Sequence, residues 1–410
     1  MKLLLIPFLI FGSAQAATSL KEAFESAKKN METLRRAEAT LQQKIERKDQ
    51  AVGVAMPNIS GVGTYTKIDP PDTAGVNSAF LLTRQYSGAI RMVQPIIRGG
   101  VWSAYQLAKE DILLAQFQKD ASMITLYQLV IQAYYNLFSA QVDLEILKES
   151  LNANKDRVKE MKSLADVGRS RKGELVQAQS QLLTAEAQYQ NGVQLLKQAE
   201  ETFFFYTGMK ANELMPLQNL PKELGTLADY TNKLKARPDI LAKEQAVRVA
   251  ERQIEVSKGG HYPSLDFVGN YYLTRTGILQ TSKWDAGLAV TLPIFQGGQV
   301  QAQVRESVEK KRVAELDSSE FFRTSHRDLS ILYQNHYVIQ ERLKTLKDAL
   351  DHAQEAYKLN RKDYKFGQST NLDVIQSLNL YIETKRTYTA LLTVANLTYK
   401  NIEASIGVLP

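Results

Sequence analysis

Pro95-Ile96-Ile97-Arg98-Gly99-Gly100-Val101 and Pro293-Ile294-Phe295-Gln296-Gly297-Gly298-Gln299 are two versions of one stretch, 198 residues apart. Each follows a short alternating run that reads as a β-strand, and each opens a long helical pattern. Proline has no N–H to donate, so it is expected to stop the strand ladder. The Gly-Gly pair then frees the backbone to turn before the helix starts. Two such junctions with matching surroundings indicate a duplicated unit. Gly168 pairs with Gly367, and Gly208 with Gly407, both at a spacing of 199.

Outward from the first junction, residues 17–210 form the first repeat. Leu20, Phe24, Ala27, Met31, Leu34, Leu41 and Ile45 recur at helical steps from about Thr18 to Val54, and Pro57 ends that helix. Strands are expected at about 59–67 and 85–94, with a polar loop between them holding Pro70-Pro71-Asp72. A long helix over about 99–166 carries a strict heptad. One core position holds Met123, Val130, Leu137, Leu144, Leu151 and Val158; the other holds Leu126, Ala133, Ala140, Leu147 and Met161. At about 1.5 Å per residue this helix runs roughly 100 Å. After Val167-Gly168-Arg169-Ser170 a return helix over about 171–207 follows, with Leu175, Leu182, Tyr189, Leu196 and Phe203 as its core stripe. Residues 211–235 show no clear period and read as a connector.

The second repeat, 236–410, opens on Arg237-Pro238-Asp239, with proline at an early helical position that tolerates it. Tyr262-Pro263-Ser264-Leu265 matches Met56-Pro57-Asn58-Ile59. Strands are expected at about 264–274 and 284–292, then a long helix over about 298–365, a turn at Phe366-Gly367-Gln368-Ser369, and a helix over about 370–407. Leu265, Phe267, Gly269, Tyr271 and Leu273 share one face of the third strand; Trp284, Ala286, Leu288, Val290 and Leu292 share one face of the fourth. Asp266, Asn270, Thr274, Asp285 and Thr291 lie opposite. Apolar against polar, with Tyr and Trp near the outer ends, fits a lipid-facing barrel wall; a soluble antiparallel sheet packed on one side is the alternative.

Composition narrows the class. Net charge is +7, but Lys and Arg interleave with Glu and Asp along helical faces, which reads as solvated surface rather than a nucleic-acid patch. The chain has no cysteine, excluding disulfides and thiol chemistry. Its four histidines, at 261, 326, 336 and 352, form no i, i+4 pair, so no metal site, cofactor or catalytic set is expected. His336 falls on a core heptad position and reads as packed. Met1-Lys2, the apolar run Leu3 to Phe11 and Gly12-Ser13-Ala14-Gln15-Ala16 make a signal peptide over 1–16, cleaved between Ala16 and Ala17. No stretch reaches the ~18 apolar residues of a spanning helix.

Four strands cannot close a barrel, and lipid does not tolerate open edges, so copies must assemble. Two copies give eight strands with a filled interior; three give twelve, the smallest multiple expected to leave a lumen. The helical hairpins would then continue the barrel as a tunnel. A soluble periplasmic coiled-coil scaffold is the reading that remains if the strands face water.

The doubled helix–strand–strand–helix plan, the two Pro-x-x-x-Gly-Gly junctions, the Arg237-Pro238-Asp239 start and the paired Val-Gly-Arg-Ser and Phe-Gly-Gln-Ser turns resemble the TolC-type outer membrane efflux family over essentially all of residues 17–410. The resemblance implies a membrane α+β fold and a homotrimer with a twelve-stranded barrel in the outer membrane continued by a periplasmic helical tunnel. It also implies docking to a periplasmic adaptor and an inner-membrane transporter of RND, ABC or MFS type, for efflux or for type I protein secretion. By the same resemblance, Val167, Gly168, Arg169, Ser170, Phe366, Gly367, Gln368 and Ser369 form adaptor-contact tips, and Glu174 and Asp373 line a periplasmic constriction. Tyr65, Tyr86, Tyr271 and Trp284 read as membrane-interface aromatics. The sequence departs from the family pattern at Gln376, where a second acidic residue is common, and at Gln368 and Ser369, where an arginine is often found.

Overall fold

A computed structural model of the chain describes residues 17–69, 84–168, 170–210, 213–217, 220, 223–277 and 279–410. Residues 1–16, the loop prolines 70 and 71, and Arg169 lie outside the described residues. In order, the elements are α1 (Leu20–Asn30), α2 (Glu32–Gly53), β1 (Asn58–Lys67), β2 (Arg84–Ile97), α3 (Val101–Asp166), α4 (Lys172–Thr207), α5 (Leu227–Lys235), α6 (Pro238–Lys258), β3 (Ser264–Arg275), β4 (Trp284–Thr291), α7 (Gln299–Lys365) and α8 (Asn371–Ser405). Two compact units cut across the sequence repeats, so each repeat contributes to both.

The first unit holds the chain through Arg35, Ala121–Arg237 and Arg323–Pro410. A capping box opens α1, with Ser19 accepting from the Glu22 N–H and the Glu22 carboxylate accepting from the Ser19 N–H. Its buried face sets Phe24 against Tyr127 of α3, ring centroids 4.9 Å apart. The continuous helix expected over 18–54 is instead broken at Met31, whose backbone is extended. The break follows from tertiary contacts: Ser26 and Asn30 both donate to the Thr207 carbonyl at the end of α4. Tyr134 donates to the Thr18 carbonyl at 3.0 Å, and burial pushes its phenol up to about 12.

The α3 heptad is buried at Leu126, Val130, Ala133, Leu137, Leu147, Leu151 and Met161. On α4 the buried seam is not the large stripe read from sequence but the small one, Ala178, Ala185 and Gly192. Small residues let the two helices approach closely: a Cβ on Gly192 would meet Leu147 at 2.7 Å. The large residues flank that line, and of them only Phe203 is fully buried. His336 is buried beside Tyr337 and Tyr399, as a packed residue. The connector is not aperiodic throughout, because it contains α5, capped by Thr226.

The second unit holds Arg36–Asp120 and Pro238–Phe322, including the whole sheet. The strands run antiparallel in the order β1-β2-β3-β4. Pro95 does not stop the ladder. It pairs with Asp266, and β2 continues to Ile97 past a register shift between the two. A bulge accommodates a missing donor without ending the strand. Pro293, by contrast, stands beyond the end of β4.

The two Gly-Gly junctions also differ. Gly297 and Gly298 both have positive φ and open space around them, as a free turn requires. Of the first pair only Gly100 has positive φ, while Gly99 is a contact point: a Cβ there would lie 2.3 Å from the Gly259 carbonyl oxygen.

Candidate functional site

The register decides what the sheet presents. Ile59 pairs with Met92, Tyr65 with Tyr86, Ile90 with Tyr271, Phe267 with Leu288 and Tyr271 with Trp284. Side chains alternate across a strand, so these residues share one sheet face. Ile59, Tyr65, Tyr271, Trp284, Leu288 and Val290 on it are exposed. The other face pairs Ser60 with Arg91, Arg91 with Asn270 and Asn270 with Asp285. There Asp285 accepts from Asn270 at 2.8 Å and from Tyr272 at 2.9 Å. Among the described residues, β1 and β4 each have a neighbour on one side only. The four expected interface aromatics form two cross-strand pairs, Tyr65 with Tyr86 and Tyr271 with Trp284, at the strand ends next to the β1–β2 and β3–β4 connections.

In the first unit the two hairpin turns are built alike. Gly168 and Gly367 have φ of 69° and 74°, with nothing near enough to crowd a side chain. Gln368 N–H donates to the Asp363 carbonyl and Gly367 N–H to Tyr364, a left-handed glycine closing the helix end. Val167 and Phe366, one residue before each glycine, are exposed. Ser170 donates to Glu174 at 2.7 Å, and Ser369 to Asp373 at 3.4 Å.

The return helices start differently. Thr370 and Asp373 form a full capping box, whereas Arg171 gives α4 no side-chain cap. Thr370's hydroxyl, then its backbone N–H, then Ser369 hold the Asp373 carboxyl below the usual aspartate range. Its stabilisation is therefore present above the unfolded aspartate pKa, about 3.9, and is lost as pH falls through the lower folded value.

A buried network joins the two tips and was not legible in the sequence. Arg157 of α3 donates from Nε to Asn371, the first residue of α8, at 2.8 Å, and from Nη1 to Glu160 at 3.0 Å. Its guanidinium lies 3.9 Å from the centre of the Tyr364 ring. Asn371 in turn donates to the Glu174 carbonyl and to Gln177 of α4. Burial, reinforced by the Glu174 charge, raises the Tyr364 phenol. In a heptad-patterned helix Arg157 looks like any solvated charge, and nothing in its spacing marks it.

Among the described residues no His, Asp and Glu cluster could hold a metal, and no helix is long and apolar enough to cross a membrane. A barrel is not subject to that second limit. A family model described as "Outer membrane efflux protein" matches residues 23–209 and 230–407. The chain belongs to the outer membrane efflux protein family. It is 24% identical over 381 residues to outer membrane efflux protein BepC of Brucella suis, covering 90% of this chain and 81% of BepC. It is 23% identical over 419 residues to the proteases secretion protein PrtF of Dickeya chrysanthemi, covering 94% and 87%. The CmeC outer membrane channel of Campylobacter jejuni superposes with a TM-score of 0.83 at 18% identity, covering 95% of this chain and 85% of that one. This efflux protein is thus an outer-membrane exit duct of the efflux and type I secretion class, with the TolC-type fold.

Proposed function

We propose that three copies of this efflux protein close a twelve-stranded barrel through their free β1 and β4 edges and serve as the exit duct of a tripartite efflux pump. The amphipathic sheet carries this reading. One face is apolar and exposed, the other polar and hydrogen-bonded, and among the described residues both edges lack a partner. Lipid accepts the first face only if the edges are closed. The name of BepC supports efflux and that of PrtF supports protein secretion, so transport of small toxic compounds is the first reading and protein export the second. A strain lacking the gene is expected to accumulate a hydrophobic efflux dye with an unchanged set of secreted proteins. Loss of a protein from the medium at unchanged dye accumulation would favour the second reading.

The turns at Val167, Gly168 and Ser170 and at Phe366 to Ser369 are assigned to adaptor contact, and an inner-membrane transporter would supply the energy. Gly367→Val forces a β-branched residue into a left-handed conformation in open space, a local cost of about 1–2 kcal/mol. The expected result is a trimer of normal mass in the outer membrane that co-purifies poorly with its adaptor. Normal adaptor recovery would contradict the tip assignment.

Glu174 and Asp373 are assigned to the constriction, where rings of carboxylates would favour cations. Glu174→Gln with Asp373→Asn is expected to lower the cation-to-anion permeability ratio. With Glu174→Gln alone, the remaining preference should persist to a lower pH than an ordinary aspartate allows and vanish below that as Asp373 is protonated. A ratio unmoved by either variant would place the filter elsewhere.

A further inference from the structure

Arg157 carries more donors than the protein answers. Its Nε and Nη1 are spent on Asn371 and Glu160, yet Nη2 is buried and meets no acceptor among the described residues. The side chain is only 6% exposed, so bulk water does not serve that nitrogen. Leaving a buried guanidinium edge unmet is costly, and folded proteins match such groups with an ordered molecule or ion. Arg157 lines a cavity of about 20 Å³ among α3, α7 and α8, which has room for one particle of water or halide size.

The walls decide which particle that is. Asn154 is 2% exposed, and its amide spends one hydrogen on the Ser150 carbonyl and keeps the other. Arg361 of α7 brings a second guanidinium to the lining and Tyr357 brings a phenol, both of them donors. Val374 and Leu378 of α8 supply an apolar side. Two carboxylates also line the space, but Glu160 already accepts from Nη1 and Asp156 is exposed to solvent. A water needs acceptors for its own hydrogens, whereas a halide needs donors alone, and donors are what this cavity has to spare.

We infer that this cavity binds one small monovalent anion, of the size and charge of chloride, on the free Nη2 of Arg157, with Arg361 on its solvent side. An oxoanion such as sulfate is too large for the space. The ion touches α3 of the first repeat and α7 and α8 of the second, so it adds a tie between the two helical hairpins beside the Arg157–Asn371 bond. The site lies within a single chain and requires neither the trimer nor a docked adaptor.

Chloride binding is read directly from the width of the chloride nuclear magnetic resonance line, with the detergent-extracted full chain titrated from gluconate into chloride at constant ionic strength. A saturable broadening is expected, displaced by bromide and not by sulfate. Arg361 is exposed, so Arg361→Gln is expected to fold normally and to raise the half-saturating chloride concentration about tenfold. Ala153→Leu keeps every donor but fills the space, and Arg157→Met removes the free nitrogen. Each should abolish the saturable part, with helical content measured alongside to show that the variant is folded. Should Arg157→Met fail to fold, Arg361→Gln and Ala153→Leu carry the test. A native protein with no saturable broadening would mean that a water fills the cavity, and would overturn the inference. Saturation that Arg361→Gln and Ala153→Leu leave unchanged, or that sulfate displaces as well as bromide does, would place the ion on the open surface and overturn it too.

Discussion

Leu288→Arg is expected to remove the protein from the outer membrane as an assembled channel, while Ala289→Arg, one residue along the same strand, is expected to leave it there. Leu288 pairs with Phe267 on the apolar sheet face, and Ala289 pairs with Asp266 on the polar face. An arginine facing the middle of the bilayer costs about 2–4 kcal/mol per chain, and the cost recurs in every copy of a closed barrel. An arginine at 289 faces the aqueous side, beside a carboxylate. Fractionation of both variants, with heat-resistant oligomer as the readout, checks the assignment of faces. Equal tolerance of the two arginines would mean the sheet does not face lipid and would revive the water-facing scaffold.

Gly259→Val is expected to be the most destabilising single change in the sheet-bearing unit. A Cβ at Gly259 would lie 2.5 Å from the Gly100 Cα and 2.6 Å from its nitrogen, and the obstacle is backbone, which no rotamer change relieves. A Cβ at Gly99, between β2 and α3, would meet the same contact from the other side, and would lie 2.8 Å from the Tyr262 Cβ as well. Overpacking costs about 1–3 kcal/mol, occasionally more, and an obstacle made of backbone puts this site at the upper end. The equivalent substitution at Gly297 meets no neighbour and carries only the strain of its positive φ, 62°. Thermal unfolding of the pair is expected to show a large loss for Gly259→Val and a smaller one for Gly297→Val. Equal losses would mean that backbone turning, not close approach, is what both junctions require.

This contrast shows where the sequence was legible. Duplication, the four strands, the long hairpins and the division of the strands into apolar and polar faces all rest on periodicity, and periodicity survives in one dimension. The two Gly-Gly junctions have the same letters, and only the fold shows that one is a free turn and the other a point where two backbones touch. Pro95 reads as a ladder stop because its missing N–H is a local fact; the bulge that absorbs it is a property of the β2–β3 pair. The break at Met31 depends on Asn30 reaching the end of α4, 177 residues away. At the tips, Glu174 and Asp373 were marked by the family resemblance, and each lies just after a glycine turn at a helix start. Arg157, which ties α3 to Asn371 and Tyr364, was hidden among the charged residues that flank the α3 heptad.

The most direct test of the duct is single-channel recording of the detergent-extracted protein in a planar bilayer, on material whose mass has been measured. A mass of three chains with discrete, cation-biased conductance steps is the expected result. A protein that stays in solution without detergent and gives no steps would contradict the barrel, and with it the export role proposed for this chain.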